Sequence, residues 1–312
     1  MADALARFDP LVADWFVDEL GQPSPVQVAA WPAIAAGEHI VATAPTGSGK
    51  TLAACLWALD RLLTGAWEGG GIRVVYVSPL KALGSDVQRN LHRPLAALQQ
   101  RFAAAERSAR PVRVGLRTGD TTSSEREQQR RQPPEILVTT PESFNLLLAS
   151  SRWRDHFDGV RLLIIDEVHA VLDNKRGVWL LHAIAECARR AGEPQRVALS
   201  ATVQPLALVA ACVGGFRSVD GVWQPRPVRQ ITAGERALPE LTIEAIEDVE
   251  PAARAEDPER FWKQTAPRLR AAIAQARATL VFCNSRRLCE KLARFINDGE
   301  PERLAWAHHG SL

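Results

Sequence analysis

The stretch "ATAPTGSGKTLAA", residues 42–54, joins a short apolar lead to Gly47-Ser48-Gly49-Lys50-Thr51 and then to a helical pattern. In a strand–loop–helix unit of this kind, backbone N–H groups of the glycine-bearing turn converge on an anion, and the positive N-terminal end of the helix strengthens the attraction. Lys50 supplies a mobile charge for the outer phosphates, and the Thr51 hydroxyl suits Mg²⁺. The alternative is a Gly/Ser turn that only leads into a buried helix.

We therefore predict a phosphate loop that binds ATP and Mg²⁺. It departs from the usual pattern at its first position, where Ala44 stands in place of glycine. The predicted nucleotide-binding residues of the loop are Ala44, Pro45, Thr46, Gly47, Ser48, Gly49, Lys50 and Thr51.

A pair of carboxylates, Asp166 and Glu167, follows the apolar run of "LLIIDEVHA" at 162–170. Adjacent carboxylates can divide the work of phosphoryl transfer, so we expect Asp166 to hold Mg²⁺, mostly through water, and Glu167 to polarise the attacking water. His169 would report the state of the nucleotide to its neighbours. A pair of acidic residues at the end of a strand is also a common helix cap. Here its position downstream of a phosphate loop favours the catalytic role.

Bulk composition limits the class of protein without deciding it. The chain has 312 residues, 46% of them apolar, which favours two domains over one. A net charge of +2 is too small to indicate nucleic acid by itself. The five cysteines are odd in number and form no CxxC pair, which argues against a zinc or disulfide framework and fits a reducing cytoplasm. We expect no signal peptide and no membrane span.

Short β-branched runs alternate with longer helical patterns, which predicts an α/β fold with a parallel sheet. Strands are predicted at 39–45, 73–79, 112–119, 135–141, 161–169 and 196–202, and helices at 50–63, 80–106, 142–150 and 177–191. Polar clusters follow five of these strands. Because ligands of parallel sheets bind at the carboxyl ends of the strands, we expect one continuous working surface there.

The pattern changes near Gly214-Gly215, where a stretch rich in Pro and Arg begins. We predict a first domain over 1–215, a linker and start of a second domain over 216–257, and an incomplete second domain over 258–312. In the latter part, strands are predicted at 241–247 and 278–285, and helices at 258–276 and 286–297.

The motifs "APTGSGKT", "DEVH" and "SAT" (200–202) resemble those of the ATP-driven helicases of superfamily 2. The surrounding segments resemble the large helicase-related branch of DNA helicases: "SPLKALGSDVQRNL" (78–91), "RTGDT" (117–121), "TTPESF" (139–144), "DEVHAVLDNKRG" (166–177) and "HHGSL" (308–312). The resemblance runs from Phe8 to Leu312 with the motifs in order. It implies a RecA-like parallel sheet flanked by helices, the beginning of a second RecA-like domain, and ATP-dependent movement along single-stranded DNA.

The resemblance also implies roles for single residues. Gln27 in "GQPSPVQ" would read the adenine edge, since an amide both donates and accepts. Ser200 and Thr202 would couple the nucleotide to the second domain. The residues that would contact a nucleic-acid strand are Pro79, Lys81, Thr118, Gly119, Thr140, Pro141, Asn284 and Ser285. By local chemistry alone, Ser78-Pro79 and Thr140-Pro141 are also good helix starts, and "RTGD" is a turn.

The resemblance further implies that arginine-bearing motifs of the second domain lie beyond residue 312, so we expect the N-terminal part of a longer helicase, completed by another domain or chain. Alternatives are an ATP-dependent nucleic-acid-binding module with little turnover, and an unproductive fragment. The order of the motifs argues against a small-molecule kinase or a transporter ATPase. RNA or a hybrid duplex stays open as the substrate, and DNA repair is the process that the resemblance suggests.

Overall fold

A computed structural model describes residues 2–79, 81–201, 203–233, 240–243 and 259–309, without the side chains of 2, 3 and 81–83. The chain divides into two compact units, Met1–Arg236 and Ala237–Leu312. The helices and strands of the first unit are, in chain order, α1 (Ala2–Leu5), α2 (Pro10–Leu20), α3 (Pro25–Ala35), β1 (His39–Thr43), α4 (Lys50–Leu63), β2 (Val74–Val77), α5 (Lys81–Ala104), β3 (Val114–Arg117), α6 (Ser123–Arg131), β4 (Ile136–Thr139), α7 (Pro141–Ala149), β5 (Leu162–Ile165), α8 (Lys175–Ala191), β6 (Gln195–Ser200), α9 (Leu206–Gly214), β7 (Phe216–Val219), β8 (Val222–Pro225) and β9 (Val228–Thr232).

The first unit is built on a seven-stranded sheet in the order β3-β4-β2-β5-β6-β1-β9. Every neighbouring pair in this sheet is parallel. The six strands and four helices predicted for this region are confirmed, with strand ends a few residues shorter than predicted. The predicted α/β class with a parallel sheet is therefore correct.

Two apolar cores cover the two faces of the sheet, because side chains of a strand alternate in direction. On β2, Val74 and Tyr76 pack into one core with α2 to α5, whereas Val75 and Val77 pack into the other with α7, α8 and α9. Because helices cover both faces of the sheet, the sequences of its central strands are continuous apolar runs.

Local chemistry explains where the helices that follow β1, β4 and β5 begin. Gly49 precedes α4 in the left-handed conformation, at φ 84°. Thr140 caps α7 by accepting a hydrogen bond from the Ser143 N–H, with Pro141 as the first helical residue. Asn174 caps α8, and its side chain accepts from the backbone of Arg176. Each of these helices therefore begins directly at a loop that carries a motif.

The end of the first unit differs from the predicted one. Residues 216–233 belong to the stretch predicted as a linker and the start of a second domain, yet β9 pairs in parallel with β1, from His39 opposite Val228 to Thr43 opposite Thr232. This pairing satisfies backbone groups that β1 would otherwise expose as an edge strand. The strands β7 and β8 form a separate antiparallel hairpin. The first unit consequently extends to Arg236.

In the second unit, the predicted helices are found as α10 (Arg260–Gln275) and α11 (Arg286–Asn297). The predicted strand at 278–285 is not formed within the described residues, where 279–283 carry no regular structure. A strand needs hydrogen-bonded neighbours, and Leu280 and Phe282 are 84% and 90% exposed. Of the strand predicted at 241–247, only 241–243 are described, without regular structure.

Among the helices that the structure describes, none has both the length and the apolarity needed to span a bilayer.

Candidate nucleotide-binding site and nucleic-acid interface

The loop between β1 and α4 has the conformation that its glycines allow. Gly47 and Gly49 have φ of 80° and 84°, in the left-handed region. A Cβ at Gly49 would lie 2.7 Å from Nε2 of Gln27. Position 49 therefore excludes a side chain on two counts, conformation and space.

Lys50 is held inside the curve of this loop. Its Nζ donates to the carbonyl oxygens of Ala44 at 2.6 Å and Pro45 at 2.8 Å, and the residue is only 7% exposed. Burial lowers the pKa of Lys50, against the opposing charges of Glu167 and Asp166. The ammonium is thus hydrogen-bonded to the loop backbone, within electrostatic reach of the two carboxylates.

Gln27 lies beneath the loop and is 5% exposed. Its Oε1 accepts from the Ser24 N–H at 2.9 Å, and its Nε2 donates to the Gly49 carbonyl at 3.3 Å. The amide therefore ties the start of α3 to the phosphate loop. Adenine recognition by Gln27 stays a prediction.

Asp166 follows β5 and is half-buried. Its Oδ1 accepts from the Glu167 N–H at 2.9 Å, and its Oδ2 accepts from the Tyr76 hydroxyl at 2.5 Å. Burial raises the pKa of Asp166, and the nearby Glu167 charge adds to the effect, against the hydrogen bond from Tyr76. The carboxylate is thereby fixed in one orientation.

Sequence reasoning missed Tyr76. It is fully buried on β2, beside the side chain of Thr51. Burial raises the pKa of Tyr76 well above its ordinary value. A signal was present in the sequence, since a lone tyrosine, the chain's only one, interrupts an aliphatic strand. A buried phenol needs a hydrogen-bond partner.

Glu167 has a backbone conformation that is unusual for its residue type, with φ 43° and ψ 47°. Its buried Oε2 has no hydrogen-bond partner within the described part of the chain. That atom lies 3.3 Å from Nδ1 of His169, which instead hydrogen-bonds Ser200 Oγ at 2.8 Å. Strained backbone and an unsatisfied carboxylate oxygen are features of functional sites.

The side chains predicted to bind magnesium fit that ion. A carboxylate oxygen of Asp166 accepts from the Tyr76 hydroxyl, and the Thr51 side chain lies beside the same phenol, so two hard oxygen ligands face one region of the cleft. Mg²⁺ is commonly held by one or two such side chains together with phosphates and water. A cleft of about 780 Å³ is bordered by Gly47, Gly49, Lys50, Thr51, Asp166 and Glu167, together with parts of α2 and α5.

The residues predicted to contact nucleic acid in the first unit lie after neighbouring strands. Thr118 follows β3, Thr140 and Pro141 follow β4, and Pro79 follows β2. The Gly119 carbonyl accepts from Arg126 at 2.8 Å, and the Thr118 hydroxyl accepts from the Asp120 N–H at 3.2 Å. Their contacts with a strand stay predictions.

The strand order separates two groups of motifs along one edge of the sheet. The motifs predicted to contact nucleic acid follow β3, β4 and β2, and those predicted to bind or sense the nucleotide follow β5, β6 and β1. Because all these strands are parallel, both groups lie at the same carboxyl edge. They meet where β2 pairs with β5.

The remaining predicted residues lie elsewhere. Ser285 and Asn284 belong to the second unit, where the Ser285 hydroxyl caps α11 by accepting from the Leu288 N–H at 3.2 Å. Thr202 lies outside the described residues, and of Lys81 only the backbone, at the start of α5, is described.

The fold and site agree with comparisons to known proteins. Residues 24–209 match the DEAD/DEAH box helicase family. The chain therefore belongs to the DEAD/DEAH box helicases. The family resemblance identified from the motifs is confirmed, including its assignment to the Lhr branch.

Among curated relatives, an Lhr helicase/probable uracil glycosylase of Mycolicibacterium smegmatis is 38% identical over 97% of this chain and 19% of its own length. The ATP-dependent helicase Lhr-Core of Methanothermobacter thermautotrophicus is 36% identical over 97% of this chain and 35% of its own. This chain thus spans between a fifth and about a third of these relatives.

Among solved structures, the Mycobacterium smegmatis helicase Lhr bound to ssDNA and AMP-PNP superimposes with a TM-score of 0.82 and 36% identity, over 99% of this chain and 39% of that one. The predicted RecA-like fold is thereby confirmed. A DUF1998 helicase, MrfA, with a TM-score of 0.68 and 19% identity over 94% of this chain and 39% of that one, shares the fold alone.

Proposed function

We propose that this chain binds ATP with Mg²⁺ and single-stranded DNA, and hydrolyses ATP to drive movement along the strand and its unwinding. The observation that carries the proposal is the single cleft bordered by Lys50, Thr51, Asp166 and Glu167. The strand-contact motifs follow the adjoining strands of the same edge.

The chain's own residues divide the chemistry. The phosphate loop orients the triphosphate, and Lys50 leaves the carbonyls of Ala44 and Pro45 to contact the outer phosphates. Thr51 and Asp166 would hold the magnesium, which would supply positive charge to offset that of the phosphates. Glu167 orients the attacking water through its unsatisfied Oε2.

His169 passes the state of the nucleotide to Ser200 through their hydrogen bond of 2.8 Å. Thr202 belongs to the same coupling segment. The strand-contact residues Pro79, Lys81, Thr118, Gly119, Thr140 and Pro141 would grip phosphates without reading bases. Asn284 and Ser285 would add contacts from the second unit.

Single-stranded DNA is the preferred substrate because a relative of 36% identity has been solved with it. RNA or a hybrid duplex is the alternative. We propose that the second unit belongs to a second motor domain. A further domain or chain would complete that domain. The cysteine pattern supports a cytoplasmic location.

ATP hydrolysis by the 312-residue chain, with and without single-stranded DNA, tests the proposal. We expect DNA-stimulated turnover in the parent and none in Lys50→Ala or Glu167→Gln. Glu186→Gln is the matched control, because Glu186 is an arginine-paired glutamate on the surface of α8.

Binding of ATP without turnover, lost in Lys50→Ala, would instead indicate the alternative, a nucleotide-dependent nucleic-acid-binding module. Absence of nucleotide binding would refute the proposal.

A further inference from the structure

Arg176 joins three segments that are distant in sequence. From the first turn of α8, its Nε donates to Oε1 of Glu142 at 2.5 Å and its Nη2 to Oε2 at 3.4 Å. The same Nη2 donates to the Pro79 carbonyl at 2.5 Å. One guanidinium therefore connects the turn after β2 to the first turn of α7.

Both partners of Arg176 lie in segments proposed to contact the strand. Pro79 stands in the turn between β2 and α5, and Glu142 directly follows Thr140 and Pro141. Partial burial by itself raises the pKa of Glu142, but the hydrogen bond and charge of Arg176 outweigh it, so the pKa is lowered. Glu142 is thus a charged partner in a charge-assisted bond.

The backbone at Arg176 lies close to the segment that follows Glu167. Its backbone N–H donates to Asn174 Oδ1 at 2.9 Å. A Cβ on the next residue, Gly177, would lie 2.4 Å from the carbonyl oxygen of Val171. The backbone of the first turn of α8 therefore approaches the backbone of Val171 and Leu172 closely, in the segment that follows Glu167.

A direct role for Arg176 as a phosphate ligand is the obvious alternative. Two observations oppose it. The guanidinium already donates to a carboxylate and a carbonyl through its Nε and Nη2. In addition, the carboxylate of Glu142 would repel a phosphate bound beside it. Glu142 is therefore better explained as a group that orients another side chain than as part of a phosphate site.

We propose that Arg176 is a positioning residue for nucleic-acid binding: it sets the spacing between the Pro79 turn and the start of α7, and ties both to the segment that carries Asp166 and Glu167. The inference rests on the proposed function, because it assumes that these two segments bind the strand.

The affinity of the 312-residue chain for fluorescein-labelled oligo(dT) tests this, in the parent, Arg176→Lys, Glu142→Gln and the control Glu186→Gln. A lysine keeps the charge but cannot reach a carboxylate and a carbonyl together with a planar fork. We expect Arg176→Lys and Glu142→Gln each to weaken binding by about tenfold, the order expected for losing a charge-assisted hydrogen bond. The control should bind as the parent does.

The sign of the Glu142→Gln effect separates the two roles. Removing a negative charge beside a phosphate site strengthens binding by electrostatics alone, so weaker binding supports positioning. Unchanged or stronger binding by Glu142→Gln, or parental binding by Arg176→Lys, would overturn the inference.

Further readouts complete the test. In Arg176→Gln, which removes the charge that Arg176→Lys keeps, positioning leaves the salt dependence of binding unchanged, whereas loss of a direct phosphate contact lowers its slope by about one. Thermal unfolding and AMP-PNP affinity, expected at parental values, verify that the variants are folded. A parent chain that does not bind oligo(dT) would refute the proposed function itself, a result distinct from failure of the variants alone.

Discussion

The hydroxyl of Tyr76 donates to Oδ2 of Asp166 at 2.5 Å across 90 residues of sequence. The Thr51 side chain lies beside the same hydroxyl, so one buried phenol adjoins both side chains proposed to hold magnesium and orients that of Asp166. Partners of this kind determine where a metal ligand points.

Tyr76→Phe should therefore weaken magnesium-dependent nucleotide binding. Phenylalanine keeps the ring in the core and removes only the hydroxyl, and loss of such an outer partner typically costs about 10–100-fold in metal affinity or activity. The measurement is a Mg²⁺ titration of labelled AMP-PNP binding. Nucleotide binding in EDTA serves as the control and should not change. Equal Mg²⁺ dependence in parent and variant would contradict the role of the phenol.

Gln27→Ala tests whether the buried amide reads adenine or only supports the loop. If the amide reads the base, the ratio of ATP affinity to GTP affinity should fall about tenfold in the variant. This is the effect expected for one lost hydrogen bond to a base edge. Competition binding of the two nucleotides gives the ratio. Equal loss for ATP and GTP would mean that Gln27 acts through the Gly49 carbonyl alone.

The two glycines of the phosphate loop should differ in their tolerance of alanine. Both have positive φ, so each alanine costs about 1–2 kcal/mol of unfolding free energy. Gly47→Ala faces open space, but Gly49→Ala meets the amide of Gln27. We therefore expect Gly49→Ala to lower the free energy of unfolding by more than Gly47→Ala. Urea unfolding without nucleotide measures both, and a larger loss at Gly47 would be inconsistent with this geometry.

His39 should make the first unit less stable in mild acid. Burial and the charges of Arg196 and Arg226 lower its pKa from 6.5 to about 4. Its Nδ1 accepts from the Arg196 N–H at 3.1 Å, which requires an unprotonated nitrogen. The unfolded state thus binds the proton more readily than the folded state, so this contribution to stability is present above pH 6.5 and is lost as the pH falls toward 4.

His39→Gln keeps an acceptor and removes the titration. We expect the difference in unfolding free energy between parent and His39→Gln to change across that pH interval, with the parent losing more. Parallel loss in the two proteins, measured by chemical denaturation at several pH values, would rule out His39 as the cause.

Much of the site could be predicted because its motifs are contiguous. The phosphate loop places a strand end, two glycines, Lys50 and Thr51 in one short stretch, and α4 begins at Lys50 as predicted. The strand at 278–285 was predicted by the same reasoning and did not form, since an extended run becomes a strand only when neighbours pair with it.

Within the first unit, the sequence by itself determined local units: the strands β1 to β6, the helices α4, α5, α7 and α8, and the polar clusters that follow the strands. Tertiary structure alone decided the strand order, the addition of β9 beside β1, and the contacts of Tyr76 and Arg176. The physical reason is separation along the chain. Arg176 meets Pro79 across 97 residues and Glu142 across 34, and parallel strands pair only through long crossovers, so no local pattern records which of them become neighbours.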